Sequence, residues 1–217
     1  MEFSKLFTSG GVVVWPLLAA SILVVALILE RSLFWWQIYR RQDQVVKRFL
    51  VDYAQHPKPA IQQLEDEQSL PMVRIFLAAL SLDQATPDEF KLALESAAQA
   101  EIPLLKRFST VFETVVGLAP LLGLLGTILG LISALSSLQI GDVGTAKAAG
   151  VTAGIGEALV STAVGLVVAM VTLLFANTFQ GLYRRQRAAI ADYGGQLEIA
   201  YGRYYRQFAN RQGLTHN

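Results

Sequence analysis

A chain of 217 residues that is 53% hydrophobic, with a mean hydropathy of +0.42, is not an ordinary soluble domain. Its 18 basic and 17 acidic residues nearly cancel, so net charge gives no reason to expect a nucleic-acid partner. Cysteine is absent, and His56 and His216 stand in a polar loop and next to the C-terminus with no carboxylates at metal-ligand spacing, so neither a metal nor a cofactor is expected.

Long apolar runs alternate with charge-rich ones. Residues 1–11 form a short N-terminal segment that could lie at a membrane interface, with Phe3, Leu6 and Phe7 on one side and Gly10-Gly11 breaking the chain. Residues 12–30 then form the first transmembrane helix, since about 20 apolar residues cross a bilayer. Pro16 falls in its first turn, where a missing N–H costs little. The apolar run continues well past Ala19-Ala20, which favours a retained anchor over a cleaved signal peptide. Trp35 and Trp36 follow Glu30-Arg31 and read as membrane-interface anchors.

Residues 31–110 read as a polar helical segment. Asp43–Tyr53 has helical spacing, Pro57 and Pro59 break it, and short helices are expected at Ala60–Glu67 and Pro71–Leu82. Thr86 with Glu89 three residues on reads as a capped helix start, and Pro103 is expected to bend that helix as it runs on into the second span. The second span is placed at residues 111–138, an outer loop at 139–150 and the third span at 151–179. A C-terminal helix is placed at 180–217, with Arg184 and Arg185 as further interface anchors and Gly194-Gly195 as a weak point. Basic residues cluster after the first span, before the second and after the third. The positive-inside rule therefore puts the N-terminus outside and the 31–110 segment and C-terminus inside.

Within the second span, Gly123, Thr127, Gly130, Ala134 and Ser137 draw one stripe, and Gly126 with Gly130 adds a small-xxx-small pair. Small residues let membrane helices approach closely, so Gly123, Gly126, Gly130, Ala134 and, on the third span, Gly165 are expected at packing faces. The matching stripe on the third span is Ala153, Glu157, Ser161, Gly165, Ala169, Thr172 and Ala176. Glu157 is the anomaly, because no other charge occurs from there to Ala176. An ionisable group inside a span is costly and marks a functional site by default. Counted from the outer ends, Thr127 and Thr162 lie at one depth, roughly 16 Å in, with Glu157 about 7–8 Å nearer the outside. Glu157, Ser161, Thr162 and Thr127 thus form a candidate proton path, with a structural hydrogen-bonding Glu157 as the alternative. Glu113, at the inner mouth of the second span, reads as an ordinary interfacial carboxylate.

Three stretches together resemble the ExbB/TolQ/MotA proton-channel family, nearest its ExbB and TolQ branch. They are Gly10-Gly11 with Trp15-Pro16 and Glu30-Arg31, then Ala119-Pro120-Leu121-Leu122-Gly123 with Gly126-Thr127, then Gly156-Glu157-Ala158-Leu159 with Thr162 and Gly165. The resemblance implies an all-α membrane protein with three transmembrane helices and long cytoplasmic helical extensions, assembling as a pentamer in the bacterial inner membrane. It implies a ring around the helices of an ExbD- or TolR-like one-span partner that supplies a membrane aspartate, with a TonB- or TolA-like protein carrying the work onward. It also matches Thr127, Glu157 and Thr162 to the family's pore-lining Thr, Glu and Thr.

The expected function is therefore an ExbB-like proton-channel subunit coupling the proton motive force to outer-membrane transport, not an enzyme. A TolQ-like envelope role is the alternative within the class. A structural membrane scaffold without proton conduction is the alternative outside it. An intramembrane hydrolase is disfavoured, because the spans hold no Ser/His or paired-Asp arrangement.

Overall fold

The computed structural model describes residues 11–136 and 145–211, with side chains described for 11–136 and 150–207. The expected interfacial segment before Gly11, Ser137 of the small stripe, and loop residues 139–144 lie outside the described residues. The described residues are all-α: α1 (Val14–Gln55), α2 (Pro57–Glu65), α3 (Pro71–Leu80), α4 (Pro87–Leu105), α5 (Ser109–Ser136) and α6 (Thr145–Arg211). Windows of α1, α5 and α6 have mean hydropathies of 2.2, 2.3 and 2.4, so all three are long and apolar enough to cross a membrane. The chain divides into two compact units, Met1–Glu30 with Phe108–Phe179, and Arg31–Arg107 with Gln180–Asn217.

The first unit is a three-helix cluster. Val13, Leu17, Val24 and Ile28 of α1 and its start pack with Phe112, Val115 and Ala119 of α5 and Ala169 of α6. Most other apolar side chains of this unit point outward, Leu121, Leu124, Ile128 and Leu159 among them. That pattern suits a segment whose solvent is hydrocarbon.

The α5–α6 seam is built from small residues. A Cβ added at Gly123 would lie 3.0 Å from Thr162 Cα, and one at Gly130 2.8 Å from Gly154 O. A Cβ at Gly165 would meet the Ala119 carbonyl, and Gly126 leaves room for the Ser161 side chain. Contacts rise in number along one helix as they fall along the other, so the pair is antiparallel. The expected stripes are displaced. On α5 the buried residue is Gly126, with Thr127 half-buried beside it. On α6 the buried row is Gly154, Ala158, Ser161, Gly165, Ala169 and Thr172, in place of Ala153 and Glu157 at its N-terminal end. The reason is geometric: four-residue steps overshoot a full turn by about 40°. A strict i+4 row therefore walks off the face, and the three-residue step from Ala158 to Ser161 restores it.

The second unit has its own core, in which Val46, Phe49 and Tyr53 of α1 meet Leu64, Met72, Phe76, Phe90, Leu94 and Leu197. Phe90 and Tyr201 stack with ring centroids 4.0 Å apart, and the Tyr201 hydroxyl donates to Ala85 O at 2.7 Å. Arg74 makes a two-point pair with Glu101 at 2.8 and 2.6 Å and also donates to Gln68 O and Ser69 O. Gln42 of α1 and Gln186 of α6, both buried, exchange two amide hydrogen bonds at 2.9 and 3.0 Å. The Lys47 ammonium and the Tyr193 hydroxyl hold the Asp43 carboxyl below its usual range. That contribution is present above the ordinary carboxylate range and is lost as pH falls through the lowered value.

Local signals explain most helix boundaries. Pro57, Pro71 and Pro87 occupy first-turn positions, where proline is favoured. Thr86 and Glu89 form the capping box that their spacing predicts. The helical spacing at Asp43–Tyr53 belongs to the last turns of the 42-residue α1. Two expectations are corrected. Gly194-Gly195 does not interrupt the 67-residue α6: a Cβ at Gly194 would meet Leu94 Cδ2 at 3.3 Å, so a small residue there lets α4 approach. Helix α4 passes Pro103 but stops at Leu105, and Phe108 takes a φ of +67° before α5 begins. Pro103 lacks the N–H that would bond the preceding turn. The buried Arg31 guanidinium then donates to Leu105 O at 3.2 Å, satisfying an end carbonyl that a continuing helix would have used.

Two stability predictions follow from these contacts. Gly165→Val should destabilise the chain by about 1–3 kcal/mol by overpacking the seam, whereas Gly117→Ala, with open space around it, should leave the melting temperature in detergent nearly unchanged. Gln42→Ala should cost about 1–3 kcal/mol by orphaning the buried Gln186 amide. Replacing both glutamines with leucine should recover most of that loss in thermal unfolding followed by circular dichroism.

Candidate functional site

Glu157 lies on α6 within the first unit and is half-buried. Its neighbours in sequence belong to the seam: Ala158 is buried against Gly130, and Gly154 against Ala134 and Gly130. Glu157 sits at the edge of that seam and reaches a different neighbour. Its carboxyl fills the space where a side chain of Gly11 would be, and a Cβ there would fall 2.8 Å from Glu157 Cδ. Gly11 has a φ of +64°, in the left-handed region that glycine enters without penalty. Its carbonyl accepts the Val14 N–H at 3.3 Å and so opens α1. Gly11 is the residue that reading the sequence for function missed. The signal was the Gly10-Gly11 pair, read as a chain break and as part of a family stretch but not as a neighbour of Glu157.

The three hydroxyls have distinct surroundings. Ser161 is completely buried, packed on Gly126, and its Oγ donates to the carbonyls of Glu157 and Ala158 at 2.9 and 3.0 Å. It therefore packs within the helix seam. Thr162 is half-buried and donates across the helix pair to Gly123 O at 3.0 Å. Thr127 is half-buried, and its hydroxyl donates to Leu124 O of its own helix at 2.6 Å. A donated hydroxyl proton leaves the oxygen's acceptor capacity available.

The register corrects the expected depths. Thr162 stands opposite Gly123, one helical turn along α5 from Thr127, so the two threonines are not level. Thr127 lies at the level of the turn from Glu157 to Ser161. Carboxyl and hydroxyl groups are thus distributed around one stretch of the α5–α6 pair.

The remaining residues sort by exposure. Gly123, Gly126, Gly130, Ala134 and Gly165 are all buried in the seam. Glu113 is exposed on α5. Trp36 is exposed at 58% with Arg40 over its ring, and Arg184 and Arg185 are exposed. Trp35 is 5% exposed and packs edge-on against Phe34. Adjacent helical residues point about 100° apart, so Trp35 is covered where Trp36 is exposed. Among the described residues, no group of three or more His, Cys, Asp or Glu side chains could hold a metal ion.

The family model for the MotA/TolQ/ExbB proton channel family matches residues 67–192. The chain is 56% identical over 207 residues to a biopolymer transport protein of Synechocystis sp. named ExbB-like 3, covering 95% of this chain and 99% of that protein. A second Synechocystis protein, named ExbB-like 1, is 39% identical over 90% of this chain and 77% of its own length. The biopolymer transport protein ExbB of Xanthomonas campestris is 40% identical over a shorter stretch, 40% of this chain and 34% of that protein. With three apolar helices long enough to span a bilayer and this match across most of its length, the chain is a multi-pass membrane protein that belongs to the MotA/TolQ/ExbB proton channel family.

Proposed function

We propose that this chain is the ring-forming, proton-conducting subunit of an ExbB-like motor in a bacterial inner membrane. The observation that carries the reading is Glu157, an acid set among apolar helices beside the α5–α6 seam. An ionisable side chain is costly to place inside a span and marks a functional site there by default. Thr127 and Thr162 flank the same stretch and offer oxygens along the way. Ser161 holds the helix pair together at this level.

In this reading the N-terminus is periplasmic, and the 31–110 segment and C-terminus are cytoplasmic. The assembly is a pentamer around an ExbD- or TolR-like one-span protein, whose membrane aspartate completes the path. A TonB- or TolA-like protein delivers the work to the outer membrane. Transport, not catalysis, is the role, and the relatives named ExbB and ExbB-like support the ExbB branch. One elementary charge crossing 100 mV supplies about 2.3 kcal/mol, enough to bias a conformational step between helices.

The test replaces Glu157 in the complete complex. Glu157→Gln and Glu157→Ala should each abolish proton-motive-force-dependent uptake of large nutrients while leaving assembly, read by native electrophoresis, intact. Full uptake in both variants would overturn the proton-path assignment. An intact uptake system with a leaking cell envelope in a deletion strain would move the chain to the TolQ-like role.

A further inference from the structure

We propose that the left-handed turn at Gly11 is a positioning element for the Glu157 carboxyl, so that the start of the first helix forms one wall of the acid's site. This deepens the proton-path reading and rests on it for its functional meaning. Two features of the turn support it. Gly11 holds a positive φ and lends the volume of a missing side chain to the carboxyl, with Glu157 Cδ 2.8 Å and Cγ 3.4 Å from where a Cβ would stand. The turn is also anchored, because Val13, Val14 and Leu17 immediately after it are 5%, 4% and 0% exposed.

Val13 is the second attachment. Its Cβ lies 3.6 Å from the position a Cβ on Gly126 would take, so it reaches the seam beside Ser161. The start of α1 therefore touches the α5–α6 pair twice, through Val13 on Gly126 and through Gly11 on Glu157. Because Val13, Val14 and Leu17 are buried just after it, moving the turn to admit a side chain at position 11 would break their packing. The group that gives way is the end of the flexible Glu157 side chain. A methyl group at Gly11 should thus move the carboxyl, and at this positive φ it also strains the turn itself.

The test reads the carboxyl directly. The assembled complex in liposomes is treated with dicyclohexylcarbodiimide, an apolar reagent for carboxylic acids, and modification of the Glu157 peptide is followed by mass spectrometry. Gly11→Ala should raise the labelling rate severalfold and lower proton-motive-force-dependent uptake severalfold. Gly117→Ala, a glycine with open space around it, should change neither. An unchanged labelling rate in a folded Gly11→Ala protein would overturn the proposal. If Gly11→Ala does not fold, the double variant Gly11→Ala with Glu157→Asp withdraws the acid by one methylene. Its recovery of folding supports the contact, and its failure to fold assigns Gly11 to the backbone turn alone and overturns the positioning role. Altered labelling in Gly11→Ala together with full activity in Glu157→Gln would keep the contact and remove the proton path.

Discussion

The close approach of α5 to α6 is the constraint on which the membrane unit depends. In hydrocarbon, apolar side chains gain nothing by leaving their surroundings for one another, so helices associate through contact area and the few polar bonds they can share. Gly123, Gly126, Gly130, Gly154 and Gly165 provide that contact by bringing backbone against backbone. The bond from Thr162 to Gly123 O adds a polar tie at the same place. Everything else in the unit is arranged on this pair: α1 lays Val13 against Gly126, and Glu157 projects from the pair's edge toward Gly11.

The architecture was legible because its main signals are local or periodic. Span lengths follow from runs without charge, and the α4 start follows from Thr86, Pro87 and Glu89 within one turn. The family was legible from Pro120, Gly123, Gly126 and Thr127 in order with Glu157 and Thr162. Finer placement was not. Which of Gly126 or Thr127 faces α6 depends on a rotation of about 100°, and both are small enough to fit a stripe. The facing residues are decided by the partner helix, through room for Ser161, and that information is not local to α5.

The same reason hid Gly11. A glycine pair before a span reads as a break, and nothing within several residues shows that the vacated volume is filled from position 157. Trp35 and Trp36 illustrate the limit from the other side. Composition marks both as interface residues, yet one helical step separates a buried ring from an exposed one. The end of α4 is a third case: Pro103 warns of trouble, but the stop at Leu105 is completed by Arg31, far away in sequence.

The Gln42–Gln186 pair has a consequence for alignment. On α1 it is flanked one turn away by the buried Ile38 and Val46, and on α6 by the partly buried Ile190. Sliding one helix by a single turn, about 5.4 Å, would set each amide against aliphatic carbon. An orphaned buried amide costs about 1–3 kcal/mol, whereas the paired bond returns only about 1. The pair therefore acts less as a source of strength than as a penalty on wrong alignments, much as a single buried polar residue selects the register of a coiled coil. With the Tyr193–Asp43 hydrogen bond between the same two helices, the pair favours one alignment of them in the second unit.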